Sequence, residues 1–148
     1  MNKYMKMKFL LPFFLIFTIS ALGQNQDQEG VEQIKAMKSS HIAGALNLTS
    51  VESKKFWVLY LAAEDKQYEI RNKIKALTTK INAKGIDKLK TQDAQMYVIE
   101  LQEAEEELFM TRKKLIADLK PIIGPKKILK LINAEEAFNA FLFKKLKS

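Results

Sequence analysis

The chain has no cysteine, one histidine, three prolines and five glycines among 148 residues. Without cysteine there is no disulfide framework, no thiolate-bound zinc or iron–sulfur centre, no thiol nucleophile and no lipidated Cys. Few glycines and prolines leave few turns, which favours long helices. Gly-rich phosphate loops, H-E-x-x-H and G-x-S-x-G are also missing. His41 has no second His and no Cys with which to share a metal. Glu105, Glu106 and Glu107 are consecutive, and consecutive helical side chains point about 100° apart, so the three do not converge on one cation. The carboxylates show no pairing suited to general acid–base work. The sequence therefore reads as a non-enzyme, with no catalytic, cofactor-binding or metal residues.

What the chain does have is charge and apolar content. Lys and Arg total 25 against 17 Asp and Glu, a formal +8, and 47% of residues are hydrophobic, too many for a disordered polyelectrolyte. Net charge alone invites a nucleic-acid or membrane partner, so its position decides. Lys3, Lys6 and Lys8 precede an uncharged apolar run from Phe9 to Leu22, and Ala21-Leu22-Gly23 leads into a polar stretch from Gln24. That is the three-part pattern of a secretory signal peptide cut after Gly23. The other reading is an uncleaved anchor, but the run is 14 residues long and contains Pro12, whereas a bilayer span takes about 20.

Cleavage leaves 125 residues with net charge +5. The expected organisation is a signal peptide over 1–23, a disordered polar leader over 24–30 and one helical domain over 31–148. A soluble exported protein is expected, touching the membrane only through its signal peptide. Export also argues against a nucleic-acid partner. A small exported domain without disulfides must rely on helix packing or oligomerisation, and a homodimer in which apolar stripes cover each other follows from the high surface-to-volume ratio.

The periodicity predicts four helices. Val31, Ile34, Met37/Lys38, Ile42 and Ala45 mark a first helix over 31–46. In Leu48-Thr49-Ser50-Val51-Glu52, Thr49 suits the N-cap and Glu52 the N3 position of a capping box, with Leu48 at N′. From there Phe56, Tyr60, Ala63, Gln67, Ile70, Ile74, Leu77 and Ile81 step by fours and threes, a heptad seam in which Gln67 is the one strongly polar member. Gly85 suits the end of this second helix, and Thr91 can cap the third. The third helix carries Tyr97, Leu101, Ala104, Leu108 and Leu115 at the same spacing and is expected to end at Pro121. Joined by about six residues, these two form a long antiparallel hairpin. Gly124-Pro125 is expected to open a fourth helix, with Pro at its first position. No segment shows convincing period-2 alternation, so the fold class is all-α.

Charge is unevenly placed along these helices. Residues 50–84 carry +4, residues 91–120 carry −3 and residues 121–148 carry +4. An acidic third helix between two basic ones implies pairing inside the helical assembly.

Several of these residues resemble the Spy/CpxP-like LTxxQ family of bacterial envelopes, in its Bacteroidetes-type version. The resemblance covers about residues 31–147 and rests on Leu48-Thr49-x-x-Glu52, on Lys55-Phe56-Trp57 with Tyr60, on the charged hairpin, and on Gly124-Pro125-Lys126-Lys127 followed by Glu135-Glu136-x-Phe138. Glu52 stands where the family motif has Gln, a change that the capping box tolerates. Leu119-Lys120-Pro121-Ile122-Ile123 stands where a second motif often precedes the last helix. The resemblance implies an all-helical periplasmic protein whose hairpins pair as a cradle-like or elongated dimer. It further implies an ATP-independent chaperone or envelope-stress protein, or alternatively a sensor that docks on an anti-sigma factor or sensor kinase at the inner membrane. Metal-responsive relatives use His clusters, and here His41 is alone.

Partners are then unfolded envelope proteins, or one inner-membrane regulatory protein. Leu48, Thr49 and Glu52 are the motif residues. Trp57, Tyr60, Phe141 and Phe143 are the candidate protein-binding or dimer surface. Trp57 lies one position off the seam and either packs on a neighbouring helix or stands exposed. Phe143 lies on a different face from Phe141.

Overall fold

A computed structural model describes the backbone of residues 19–147 and the side chains of residues 29–145. The lysines at 3, 6 and 8 and most of the apolar run after them lie outside the described residues. Among those described there is no strand, and the elements are helix α1 (Ile19–Leu46), helix α2 (Ser50–Lys84), a short 3-10 turn (Ile86–Lys88) and helix α3 (Thr91–Lys147). The described residues divide into two compact units, one of those up to Gly44 together with those from Ala134 on, and the other of Ala45–Asn133.

The backbone breaks where residue chemistry asks for it. Asn47 takes a left-handed φ of 45° between α1 and α2, a conformation that Asn tolerates better than most residues. Thr49 (φ −66°, ψ 162°) caps α2. Gly85 (φ 78°) ends that helix, its N–H donating to the Asn82 carbonyl at 3.1 Å.

Three boundaries differ from the sequence reading. Thr91 is the first residue of α3 rather than its cap, and the Lys90 carbonyl accepts from the Ala94 N–H at 3.0 Å. Helix α1 runs through residues 24–30, the polar leader; Gln, Asp and Glu are all compatible with helix, and Gly30 is the only poor former there. Pro121 does not end the third helix. The chain stays helical past it to Gly124, where φ is 73° and ψ 166°, and is helical again afterwards, so that one element spans 91–147. Pro121 forfeits one backbone hydrogen bond. Leu115, Leu119 and Ile123 are all buried around it, and that packing outweighs the local cost. The backbone leaves helical geometry only where a residue without Cβ permits it and where the next residue, Pro125, has no N–H to lose.

In the Ala45–Asn133 unit, α2 and the first part of α3 run antiparallel. Lys84 meets Tyr97, Lys66 meets Glu107 and Glu52 meets Lys127, so numbers rise on one side as they fall on the other. The predicted seam faces inward. Phe56, Tyr60, Gln67 and Ile70 on α2 and Tyr97, Ala104 and Leu115 on α3 are buried, while Ile74, Leu77, Ile81, Leu101 and Leu108 are half-buried. Gln67 keeps its polar atoms satisfied within its own helix. Its amide donates to the Ala63 carbonyl at 3.3 Å, and its carbonyl accepts from Arg71 at 3.2 Å.

In the other unit, Ile42, Ala134, Glu135 and Phe138 are buried. The stripe expected along the first helix is only partly buried there: Val31 is half-buried, whereas Ile34 and Met37 are exposed.

Candidate functional site

The sequence motif at the start of α2 forms a clasp. The Glu52 N–H donates to Thr49 Oγ1 at 3.2 Å, and the Thr49 N–H donates to Glu52 Oε2 at 2.7 Å, which completes the capping box. The same Oε2 accepts from Lys127 Nζ at 2.6 Å, and that ammonium also donates to the Asn47 carbonyl at 3.2 Å. Lys127 thus ties the residue just past Gly124-Pro125-Lys126 to both sides of the α1–α2 corner. The Lys127 ammonium first, and then the Thr49 N–H, hold the Glu52 carboxyl below the usual glutamate range. A Gln at position 52 would keep the capping hydrogen bond but give Lys127 no charge to pair with. Leu48 is half-buried beside this corner in sequence. The clasp positions helices.

The aromatic residues after the cap pack as a cluster. Phe56 stacks on Tyr60 with centroids 5.2 Å apart and planes 12° from parallel. The Trp57 ring stands edge-on to both, 4.9 Å from Phe56 and 5.8 Å from Tyr60. Trp57 is half-buried, and these ring contacts are with residues of its own helix. Tyr60 is 1% exposed, which corrects its place among the candidate surface residues. It occupies a seam position, and the ring is buried with its stacking partner.

Phe141 and Phe143 lie in the other unit and are exposed. Phe141 borders an open hollow of about 440 Å³ with Met37, Ser40, His41 and Phe138. His41 lies against Phe138 there, with centroids 5.9 Å apart. Lys145 Nζ sits 5.4 Å from the Phe141 ring centre, a cation–π distance. The four candidate surface residues are therefore divided between two units, Trp57 and Tyr60 in one and Phe141 and Phe143 in the other.

A second apolar surface escaped the sequence reading. Val98, Ile99, Phe109 and Met110 on α3 are all exposed, as are Val51, Val58 and Leu61 on α2. On α3 the pairs are eleven residues apart, about three helical turns, which returns the second pair to the face of the first and away from the buried Tyr97–Leu115 seam. That adjacent pair repeated at eleven residues was a legible signal; the heptad seam running beside it drew attention away. Between the pairs lie Gln102 and Glu106, both exposed, so the strip mixes apolar and polar side chains.

Lys66 and Glu107 form an ion pair across the hairpin, 2.7 Å apart and both partly exposed. Each shifts the other: the Glu107 carboxyl falls below its ordinary range and the Lys66 ammonium rises above its own. Of the three consecutive glutamates, then, Glu107 serves the hairpin. Among the described residues no group of three His, Asp or Glu side chains is placed to hold a metal ion, and no helix is long and apolar enough to cross a membrane. Comparison with protein-family models, with characterised proteins and with solved structures finds no match to the chain.

Proposed function

We propose that this is an exported, periplasmic, ATP-independent chaperone that binds unfolded envelope proteins without catalysis. The observation that carries the reading is the outer strip of the hairpin, where Val98, Ile99, Phe109 and Met110 stand exposed among charged and amide side chains. Scattered apolar contacts of this kind hold a client without selecting one sequence, and the basic segments attract acidic clients at long range. Such a protein needs no reactive residues, in keeping with the lack of catalytic motifs. The signal-peptide pattern and the resemblance of Leu48-Thr49-x-x-Glu52 and its surroundings to the LTxxQ family favour the same reading.

In this proposal Gly124 is the joint between a third and a fourth helix, and two copies pair as a homodimer that covers part of the exposed apolar surface. Sedimentation at micromolar concentration checks the dimer, and a monomer there contradicts it. The function is tested by aggregation of a reduced or heat-unfolded client, with a partner pull-down in parallel. Suppressed aggregation supports a chaperone. Failure to suppress it, with one inner-membrane anti-sigma factor or sensor kinase recovered in fixed ratio, replaces the chaperone with a dedicated sensor.

A further inference from the structure

We propose that the turn joining α2 to α3 is a docking tip for an anionic lipid surface, with Ile86 as its apolar contact and Lys88 and Lys90 as its headgroup contacts. Charge is the first observation. Between residues 80 and 92 four side chains, Lys80, Lys84, Lys88 and Lys90, are basic and one, Asp87, is acidic, and all four basic residues are exposed. The next carboxylate, Asp93, opens α3. Among the described residues neither Lys88 nor Lys90 forms an ion pair. Lys80 and Lys84 place their ammonium groups 5.6 and 5.5 Å from the centre of the buried Tyr97 ring, which fixes them at this end of the hairpin.

Folding accounts for only part of this cluster. A lysine in the last turn of α2 suits the negative end of that helix dipole, as Lys84 does. Lys88 and Lys90 are different, because they immediately precede Thr91, where the positive end of the α3 dipole disfavours cations. A partner that supplies negative charge removes that penalty.

The apex is the second observation. Ile86 is 65% exposed in the 3-10 turn, a position where polar turn residues are the rule. An apolar side chain surrounded by lysines with long aliphatic stems is the arrangement that seats at a bilayer interface, the apolar group entering the acyl boundary and the ammonium groups staying among phosphates. A single-stranded nucleic acid would want an open stacking platform. Tyr97, the aromatic side chain at this end, is instead buried beneath two lysines.

The absence of native cysteine permits a direct test. In the full chain, Gln92→Cys near the turn and Gln102→Cys farther along α3 each give a unique thiol for an environment-sensitive fluorophore. Each labelled protein is titrated with neutral phosphatidylcholine vesicles and with vesicles containing about a third phosphatidylglycerol. The expected result is a blue shift at position 92 on the anionic vesicles alone, with position 102 unchanged. Lys88→Glu/Lys90→Glu, with helicity verified by circular dichroism, is expected to weaken the response by roughly 25-fold or more, and Ile86→Ser to weaken it further. Equal shifts at 92 and 102, equal response to neutral vesicles, or a response to single-stranded DNA or polyglutamate but not to vesicles overturns the proposal. The comparison of the two labelled positions stands without the charge-reversal variant, and it separates the tip from any contact made by the apolar N-terminal segment.

Discussion

Replacing Gly124 by alanine asks whether the backbone truly leaves the helix there. Gly124 has φ 73° and ψ 166°, a region almost closed to residues with a Cβ. A Cβ built at this position meets nothing within 4 Å, so steric collision adds nothing and the penalty is torsional, about 1–3 kcal/mol. Were position 124 an ordinary helical site, the same change would instead stabilise the protein by about 1 kcal/mol through helix propensity. The two possibilities differ in sign. Gly44→Ala is the matched control, since Gly44 lies within α1, its built Cβ is equally open and its φ is not positive; it is expected to be neutral or stabilising. Urea unfolding followed at 222 nm and by the fluorescence of Trp57 reads both. At a slope of about 2 kcal/mol per molar, Gly124→Ala moves the midpoint down by roughly 1 M. A rise in midpoint for Gly124→Ala, equal to that of Gly44→Ala, would refute the break and the reasoning built on it.

Other substitutions separate the clasp, the core and the outer strip. Glu52→Gln keeps the cap and removes the charge that pairs with Lys127. The unfolded carboxyl titrates near 4.5 and the folded one lower, so this stabilisation is full above about pH 4.5 and is lost as pH falls through the folded value. Thermal melts should therefore find Glu52→Gln less stable than wild type at pH 7, with the gap closing as the pH falls below 4.5; a gap independent of pH contradicts the pairing. Phe56→Ala, at a fully buried aromatic, is expected to cost about 3–5 kcal/mol, whereas Val58→Ala, two residues on but 71% exposed, should stay within about 0.5 kcal/mol. Similar losses in chemical denaturation for the two would mean that the seam faces elsewhere. Phe109→Ser/Met110→Ser is expected to leave the unfolding midpoint nearly unchanged while reducing client protection several-fold, read by light scattering.

Much of the helical pattern was legible because it is local. Spacing by fours and threes named the seam from Phe56 to Ile81, and the reciprocal chemistry of Thr49 and Glu52 named the start of α2 to the residue. Gly85 marked the end of α2 for the same reason, whereas Thr91, expected as a cap, is the first residue of α3 and Lys90 takes the cap position. Pro121 misled, since its effect on a helix depends on whether Leu119 and Ile123 are buried, which is a tertiary property. Lys127 could not be assigned from spacing either, because it reaches its carboxylate across 75 residues of sequence. Tyr60 shows the limit most plainly: an aromatic residue beside a motif suits a binding surface and a core equally, and only packing separates the two.

The most direct test of the proposed function is light scattering from a reduced or heat-unfolded client mixed at stoichiometric ratio with residues 24–148. Slowed aggregation without ATP, weakened by Phe109→Ser/Met110→Ser, is the expected result. Aggregation that proceeds at the same rate with and without the protein would contradict a chaperone role.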